Sequence, residues 1–239
     1  MRLALLSLLL PLASAAAIQP RQGGVITSCN RPGVMALTFD DGPYQYEPAL
    51  LEKLAAAGAK ATFFVTGTLY NCIYSQAQTL KNAYDAGHQI AAHTWTHADL
   101  EGLDSNGIRA EMAPLENALA NILGVKPTYM RPPNGAAGGN VVPTLSGMGY
   151  QVVNWDVDTE DWNNVPVSTS QQKIRNAGTS GNGHIVLMHE TVQSTVDQLV
   201  PWVLDYAQQN GLELVTVADC LGNAGGEYTP AQGDGSSTC

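Results

Sequence analysis

Short apolar runs recur along the chain and alternate with longer segments of helical periodicity. Short apolar runs bounded by turn residues are typical of buried strands in a parallel sheet. We therefore predict seven strands, at residues 34–39, 61–66, 89–92, 128–130, 150–157, 184–188 and 212–217.

The segments between these runs carry helix start and stop signals. Pro48 suits the first turn of a helix, and Gly58 follows as a stop. Ser105 can cap a long segment that Gly124 closes. We predict helices from residue 48 to 58, at 79–86, at 105–123 and at 195–209.

Strands that alternate with helices form βαβ units and a parallel sheet. Seven strands without an obvious reversal favour a barrel over an open doubly wound sheet. A full barrel of this kind has one strand more, so this one is incomplete or distorted. No G-x-G-x-x-G follows the first strand, which argues against a dinucleotide-binding fold. The prediction is a single α/β domain.

The N-terminus has the three parts of a secretory signal peptide. Arg2 gives a charged start, residues 3–12 form an apolar run too short to span a bilayer, and residues 13–17 are small. We assign residues 1–17 to the signal peptide, 18–33 to an N-terminal segment, 34–220 to the folded domain and 221–239 to an irregular tail. The mature chain is expected to be secreted, into the extracellular space or the cell wall.

The charge restricts the partners of the chain. Eleven basic and 21 acidic residues give a formal net charge of −10. This argues against nucleic acid and anionic membranes, since binding to either depends on basic contacts. A neutral or cationic substrate is compatible with the charge, although acidity that only keeps the protein soluble is the simpler interpretation. We expect a monomer.

Four cysteines in a secreted chain predict two disulfides. Cys29 precedes the first strand and Cys220 follows the last, so a bond between them would join the two ends of the domain. We favour this pairing, which leaves Cys72 and Cys239 to hold the tail. No two cysteines have the short spacing of metal ligands.

Polar side chains collect where the predicted strands end. Active sites of parallel α/β folds form at the carboxyl ends of the strands, so we expect these groups to meet at one mouth. The segments concerned are Asp40-Asp41-Gly42-Pro43, His93-Thr94-Trp95-Thr96-His97, Arg131-Pro132-Pro133-Asn134-Gly135, Asp158-Thr159-Glu160-Asp161-Trp162 and His189-Glu190.

Two of these segments have the composition of a metal site. His93 and His97 can share an ion, and with one of Asp40 or Asp41 they leave a coordination position open for water. The same ligands occur in iron oxygenases, but a second carboxylate that can act as a base favours hydrolysis. Thr94 stands where a zinc metalloprotease helix needs glutamate. The simpler alternatives are a solvated Asp-Asp-Gly-Pro turn and two ordinary polar histidines.

The remaining strand ends supply other groups that hydrolysis needs. His189 can donate a proton to a leaving group, and a neighbouring aspartate would raise its pKa. Arg131 can keep a base carboxylate ionised. Taken alone, Arg131 is equally well explained as a structural ion-pair partner and His189 as a buried core histidine.

Five motifs at these strand ends, in this order, resemble those of the polysaccharide deacetylases of carbohydrate esterase family 4, which share the NodB homology domain. They are Thr38–Pro43, His93–His97, Arg131–Gly135, Asp158–Trp162 and Leu187–His189. The chain is most similar to the secreted fungal chitin deacetylases. The motifs run from residue 34 to 189, and the strand pattern extends the resemblance to about residue 217. The resemblance implies a distorted (β/α)7 barrel, with residues 34–220 as its catalytic domain.

The resemblance also implies a role for each polar group. Asp41, His93 and His97 would bind a zinc-type divalent ion, for which Co²⁺ is a possible substitute. Asp40 would be the general base, held by Arg131. His189 would be the general acid, oriented by Asp161.

Four further residues are implied to contact the substrate. The backbone N–H of Asn134 would bind the oxyanion, while Trp162 and Leu187 would surround the acetyl methyl group. Asp158 would lie beside the substrate and is the second choice as the partner of His189. Family members commonly carry tyrosine where Asn134 stands, so this chain departs from the family on one side of its groove.

The implied activity is hydrolysis of N-acetyl groups from N-acetylglucosamine units of chitin or chitooligosaccharides. Within the same fold, the alternatives are an O-deacetylase such as an acetylxylan esterase and a peptidoglycan N-deacetylase. A non-enzymatic carbohydrate-binding protein is disfavoured, because no ligand or base position of the motifs is lost.

Overall fold

The computed structural model describes residues 23–239. The predicted signal peptide lies outside this range. The strands are β1 Val34–Asp40, β2 Ala61–Val65, β3 Gln89–Ala92, β4 Val125–Pro127, β5 Tyr129–Met130, β6 Gln151–Val152, β7 Val157–Asp158, β8 His184–His189, β9 Glu213–Leu214 and β10 Tyr228–Pro230. The α-helices are α1 Glu47–Ala56, α2 Ala77–Asp85, α3 Ser105–Leu123, α4 Val141–Gly147, α5 Val167–Ala177, α6 Val200–Gln209 and α7 Val217–Cys220.

Eight of the ten strands in residues 23–239 form one parallel sheet in the order β6-β5-β3-β2-β1-β8-β7, with β9 paired to the start of β1. The sheet curves into a distorted (β/α)7 barrel, which confirms the predicted fold. The strand predicted at residues 150–157 is in fact two, because its pairing changes partner midway. Its first half pairs with β5 and its second half with β8. Between them, Ile26 of the N-terminal segment bridges to Val153.

Alternate residues of the strands face two different layers, as strand geometry requires. On β1, Met35 and Leu37 pack in the core between sheet and helices, whereas Val34 and Ala36 pack in a second cluster inside the barrel. Asp40 has the same parity as Ala36. The polar residues that continue the inward-facing series on the other strands are His93, Arg131 and His189.

Several predicted boundaries need correction. Helix α3 begins at Ser105 as expected, but its cap is Asp104, whose carboxylate accepts from the N–H of Gly107. The strand predicted at 212–217 is limited to β9, because Thr216 caps α7. Helices α4 and α5 were not predicted at all. The tail is not wholly irregular, since β10 pairs antiparallel with β4.

Two disulfides link distant parts of the chain. Cys29 bonds to Cys220 and Cys72 to Cys239, the pairing that the sequence favoured. The first joins the N-terminal segment to α7 inside the barrel cluster. Within residues 23–239, no helix is long and apolar enough to cross a membrane.

Candidate active site

A cavity of about 350 Å³ opens at the carboxyl ends of the strands. Nine of its ten lining residues are among the predicted site residues, and the tenth is Trp155. The lining consists of Asp40, Asp41, His93, His97, Asn134, Trp155, Asp158, Trp162, Leu187 and His189. The two other predicted site residues, Arg131 and Asp161, are buried behind this lining.

Asp41, His93 and His97 converge on one point. The Asp41 Oδ1 atom lies 3.5 Å from Nε2 of His93 and 3.4 Å from Nε2 of His97. Two imidazoles and a carboxylate are a common donor set for zinc, and atoms that share one tetrahedral zinc at bonds of about 2.1 Å lie about 3.4 Å apart. Asp41 Oδ1 is buried and has no hydrogen-bond donor among the described residues. The three residues therefore fit a divalent cation.

The hydrogen bonds of His93 prepare it to act as a ligand. Its Nδ1 atom lies 2.7 Å from the carbonyl oxygen of Arg131, which can only accept. Nδ1 therefore carries the hydrogen, and the lone pair of Nε2 faces Asp41. Burial lowers the pKa of His93 against the opposing effect of Asp40 and Asp41. A neutral imidazole is the form that binds metal.

The backbone around the three candidate ligands is unusual. Asp41, Thr94 and His97 have φ values of 75°, 70° and 63°, in the left-handed region that non-glycine residues rarely adopt. Such conformations cost about 1 to 3 kcal/mol each and collect at functional sites. Strained backbone is therefore concentrated in the two loops that carry the candidate ligands, one with Asp41 and the other with His93 and His97.

Asp40 is held by a buried arginine. Nη1 of Arg131 donates to Oδ1 of Asp40 at 2.6 Å and to the hydroxyl of Thr38 at 2.9 Å. The other guanidinium nitrogens donate to the carbonyls of Val153 and Asn154. All the nitrogens of Arg131 are thus in use, and the planar guanidinium fixes the position of Asp40.

His189 is held by the buried carboxylate of Asp161, and it lies in register with Asp40 on the neighbouring strand. Its Nδ1 lies 2.8 Å from Oδ1 of Asp161, and its backbone N–H donates to Oδ2 of the same residue. Thr195 also donates to Oδ2, at 2.6 Å. Burial alone would lower the pKa of His189. The hydrogen bond and charge of Asp161, with the charges of Asp40 and Asp41, outweigh burial and raise this pKa to about 9.

Asp158 is not the partner of His189. It lines the cavity, and its Oδ1 accepts from the N–H of Glu160. Of the two aspartates considered for this contact from the sequence, Asp161 makes it.

Asn134, where the family commonly has tyrosine, and Trp155 lie together on one side of the cavity. Asn134 is exposed and has a φ of 58°, a conformation that asparagine tolerates better than larger residues. The ring of Trp155 packs on the next residue, where a Cβ added to Gly135 would lie 2.8 Å from it. Trp155 supplies an aromatic surface on the side where Asn134 offers none. Trp162, 55% exposed, lies at the same mouth.

The sequence did not reveal three groups that complete the site. Trp155 belongs to a run that was interpreted as continuous strand, although a tryptophan between Asn154 and Asp156 is an indication of a break. Thr38 begins the first motif and Thr195 begins a predicted helix, but a single threonine carries no signal of its hydrogen-bond partner.

Comparison with known proteins places this site in a family. The family described as Polysaccharide deacetylase matches residues 27–153, which is more than half of the chain. The chain belongs to the polysaccharide deacetylase family. It is 41% identical to a chitin deacetylase of Pestalotiopsis sp. over 95% of its own length and 78% of that protein. The resemblance stated from the motifs is confirmed, and the family identifies the chain as a deacetylating hydrolase.

Two further comparisons concern the solved fold and the range of relatives. The chitin deacetylase structure from Colletotrichum lindemuthianum superposes with a TM-score of 0.83 at 36% identity, covering 87% of this chain and 96% of the other. A protein of Arthroderma benhamiae named a probable peptidoglycan-N-acetylglucosamine deacetylase is 42% identical over 88% of this chain. The chain spans only 49% of that relative's length.

Proposed function

We propose that this chain is a secreted, metal-dependent deacetylase that hydrolyses N-acetyl groups of chitin or chitooligosaccharides, giving acetate and glucosamine units. One observation carries the proposal. The Asp41–His93–His97 cluster, a carboxylate held by Arg131 and a histidine held by Asp161 all line one cavity. Amide hydrolysis needs these three elements together, namely an electrophilic centre, a base and an acid.

In this proposal, Asp41, His93 and His97 hold a divalent ion, most simply Zn²⁺ with Co²⁺ as a possible substitute. When bound, the ion would supply Lewis-acid polarisation of the acetamide carbonyl and a lowered pKa for a nearby water. Asp40 is left free for proton transfer because Arg131 holds only its Oδ1.

Asp40 and His189 then divide the proton transfers between them. Asp40 takes a proton from the attacking water, while the backbone N–H of Asn134 donates to the oxyanion that develops on the acetyl carbonyl. His189, cationic up to about pH 9, donates a proton to the departing nitrogen. An amine leaves poorly without that proton, so a raised pKa at His189 suits amide substrates.

The cavity walls support an N-acetylated sugar as substrate. Leu187 is almost fully buried and presents an apolar surface for the acetyl methyl group, while Trp155 and Trp162 offer ring faces for the sugar. Asp158 is a polar group at the same wall that can bond to a sugar hydroxyl. The two disulfides agree with an oxidising, extracellular or cell-wall location, where the chain would act as a monomer.

The experiment that tests the proposal is mass spectrometry of acetate loss from matched acetylated substrates. Chitooligosaccharides, peptidoglycan and acetylxylan are incubated with the enzyme, with and without a chelator. We expect chelator-sensitive acetate release, fastest from chitooligosaccharides. Faster release from peptidoglycan, the substrate in the Arthroderma relative's name, would reassign the substrate. Unchanged release with the chelator would contradict metal dependence.

A further inference from the structure

Two buried glutamates lie near the turn that follows β1, and neither is among the proposed catalytic residues. Glu47 is the first residue of α1, and Glu190 directly follows His189 at the end of β8. Both side chains have no solvent exposure. None of their four carboxyl oxygens has a hydrogen-bond donor elsewhere in residues 23–239. Buried carboxylates without a partner are costly, so these groups need an explanation.

The two carboxyl groups face each other within hydrogen-bonding reach. Two ionised carboxylates cannot form such a bond, because neither has a donor hydrogen. The contact therefore requires a proton on one of them, as in other carboxyl pairs that share a buried site.

The charges around the pair also favour a bound proton. Burial raises the pKa of Glu47 to about 7, and burial together with the charges of Glu47, Asp41 and Asp40 raises the pKa of Glu190 well above its usual range. His189 precedes Glu190 on β8, but its ring is bonded to Asp161. No lysine or arginine in residues 23–239 forms an ion pair with either glutamate.

The pair touches the backbone of the catalytic turn. A Cβ added to Gly42 would lie 1.4 Å from Oε1 of Glu190, so the carboxyl group occupies the space beside this glycine. Gly42 follows Asp40 and Asp41 in the chain, and Thr66 donates its backbone N–H to the Gly42 carbonyl. Glu190 thus packs on the turn that carries one set of catalytic groups while it extends the strand that carries His189.

We propose that Glu47 and Glu190 share one proton and act as positioning residues, fixing the turn of Asp40, Asp41 and Gly42 relative to His189. The role in catalysis rests on the proposed function, whereas the shared proton does not. Asp40 and His189 are in register on the neighbouring strands β1 and β8, so the pair acts on the residues beyond the strands and holds the turn at Gly42 against the end of β8.

Below about pH 7 Glu47 is protonated as well as Glu190, and this second proton has a consequence for stability with a definite sign. The folded pKa of Glu47, about 7, lies above its ordinary value of 4.5. The stabilisation is therefore fully present below about pH 4.5 and is lost as the pH rises through about 7. E47Q keeps a hydrogen-bonding group of the same shape but cannot ionise, so this loss should be absent from its profile.

Infrared spectroscopy of the metal-loaded, full-length protein at pH 8 tests for the proton directly. Exposed carboxyl groups are ionised at that pH, so a carbonyl band of a protonated carboxyl group is expected only from this pair. The band should be present in the wild type and absent from E190Q. A wild-type spectrum without the band would overturn the proposal even if every variant failed to fold.

Kinetics and urea unfolding from pH 5 to 9 test the positioning role. E47A removes the partner of Glu190 and should lower kcat about tenfold or more with KM changed less than about twofold, since reacting groups are displaced while sugar contacts remain. E47Q should recover most of kcat at pH 6 and flatten the stability profile. E52Q, which neutralises an exposed glutamate of the same helix, should match the wild type.

Three outcomes would contradict the positioning role: wild-type kcat in E47A, equal loss in E47Q and E47A, or the same stability profile in E47Q and the wild type. A wild-type enzyme inactive on every acetylated substrate would instead refute the proposed function. The infrared and unfolding measurements use no substrate, so they would still test the shared proton.

Discussion

His93 and His189 line the same cavity, but their surroundings shift their pKa values in opposite directions. His93 directly follows β3, and His189 is the last residue of β8. Each uses its Nδ1 atom for a hydrogen bond within the protein. His93 faces a backbone carbonyl, and burial lowers its pKa. His189 faces the carboxylate of Asp161, and its pKa is raised to about 9.

In the proposed function, the group that is hydrogen-bonded to Nδ1 suits each histidine to a different role. A carbonyl fixes the tautomer without adding a full charge, which leaves a neutral nitrogen suited to a cation. A carboxylate stabilises the imidazolium and so favours a proton donor. The four predictions below test this division of labour, and they begin with the largest expected effect.

Replacing His93 should disable the metal side of the cavity completely. H93A removes one of three candidate ligands, so we expect loss of the bound ion and a decrease in kcat/KM of about 10⁴-fold. Metal content per chain and deacetylation rate are measured together. H184A, which changes a histidine paired with Asp156 instead, should keep its metal. Full metal occupancy in H93A would show that the ligand assignment is wrong.

Replacing Asp40 should separate proton transfer from metal binding. D40N preserves the shape of the side chain but cannot accept the proton, so kcat should fall about 10²- to 10⁴-fold. The metal content should stay close to that of the wild type, because Asp40 is not among the three converging ligands. Wild-type activity in D40N would rule out its role as the base.

Replacing Asp161 should affect only the acid side. D161N removes the charge that raises the pKa of His189, so we expect a decrease in kcat of about 10²-fold. The alkaline limb of the pH–rate profile should also move to lower pH, since His189 then loses its proton earlier. The His189–Asp161 pair stabilises the fold below about pH 6.5 and ceases to do so as the pH rises through about 9. If the alkaline limb is unchanged in D161N, the group that titrates there is not His189.

Replacing Thr195 should give the smallest effect. T195V keeps the side-chain shape but removes one hydrogen bond to Asp161, worth about 1 kcal/mol. The remaining bonds and the charge of Asp161 are kept, so any shift in the pKa of His189 should be much smaller than in D161N. NMR titration of His189 in the metal-free protein measures this shift. A shift as large as that in D161N would mean that Thr195, rather than the charge, sets the position of Asp161.

The fold could be predicted because hydrophobic periodicity carries most of the information needed. The strands at 34–39 and 61–66 correspond closely to β1 and β2, and parallel strands necessarily bring their carboxyl ends to one edge. Prediction failed where a tertiary contact overrides the local pattern. Residues 150–157 look like one strand, but their pairing changes partner where Ile26 inserts.

The candidate site was predictable to the extent that its residues lie in recognisable motifs. The groups that support those residues were not, because Thr195 and Trp155 come from sequence positions with no chemical signature. Glu47 and Glu190 are the clearest case. Glutamates are usually exposed, so neither residue could be expected to meet the other in a buried pair.

The sequence by itself determined where most strands lie along the chain, the motifs at their ends and hence the family. Only the tertiary structure decided which partner each group has: the carbonyl for His93, Asp161 rather than Asp158 for His189, and the carboxyl of Glu47 for Glu190. The physical reason is that periodicity and motifs are local, whereas a side chain's protonation depends on burial and on charges brought to it from distant parts of the chain.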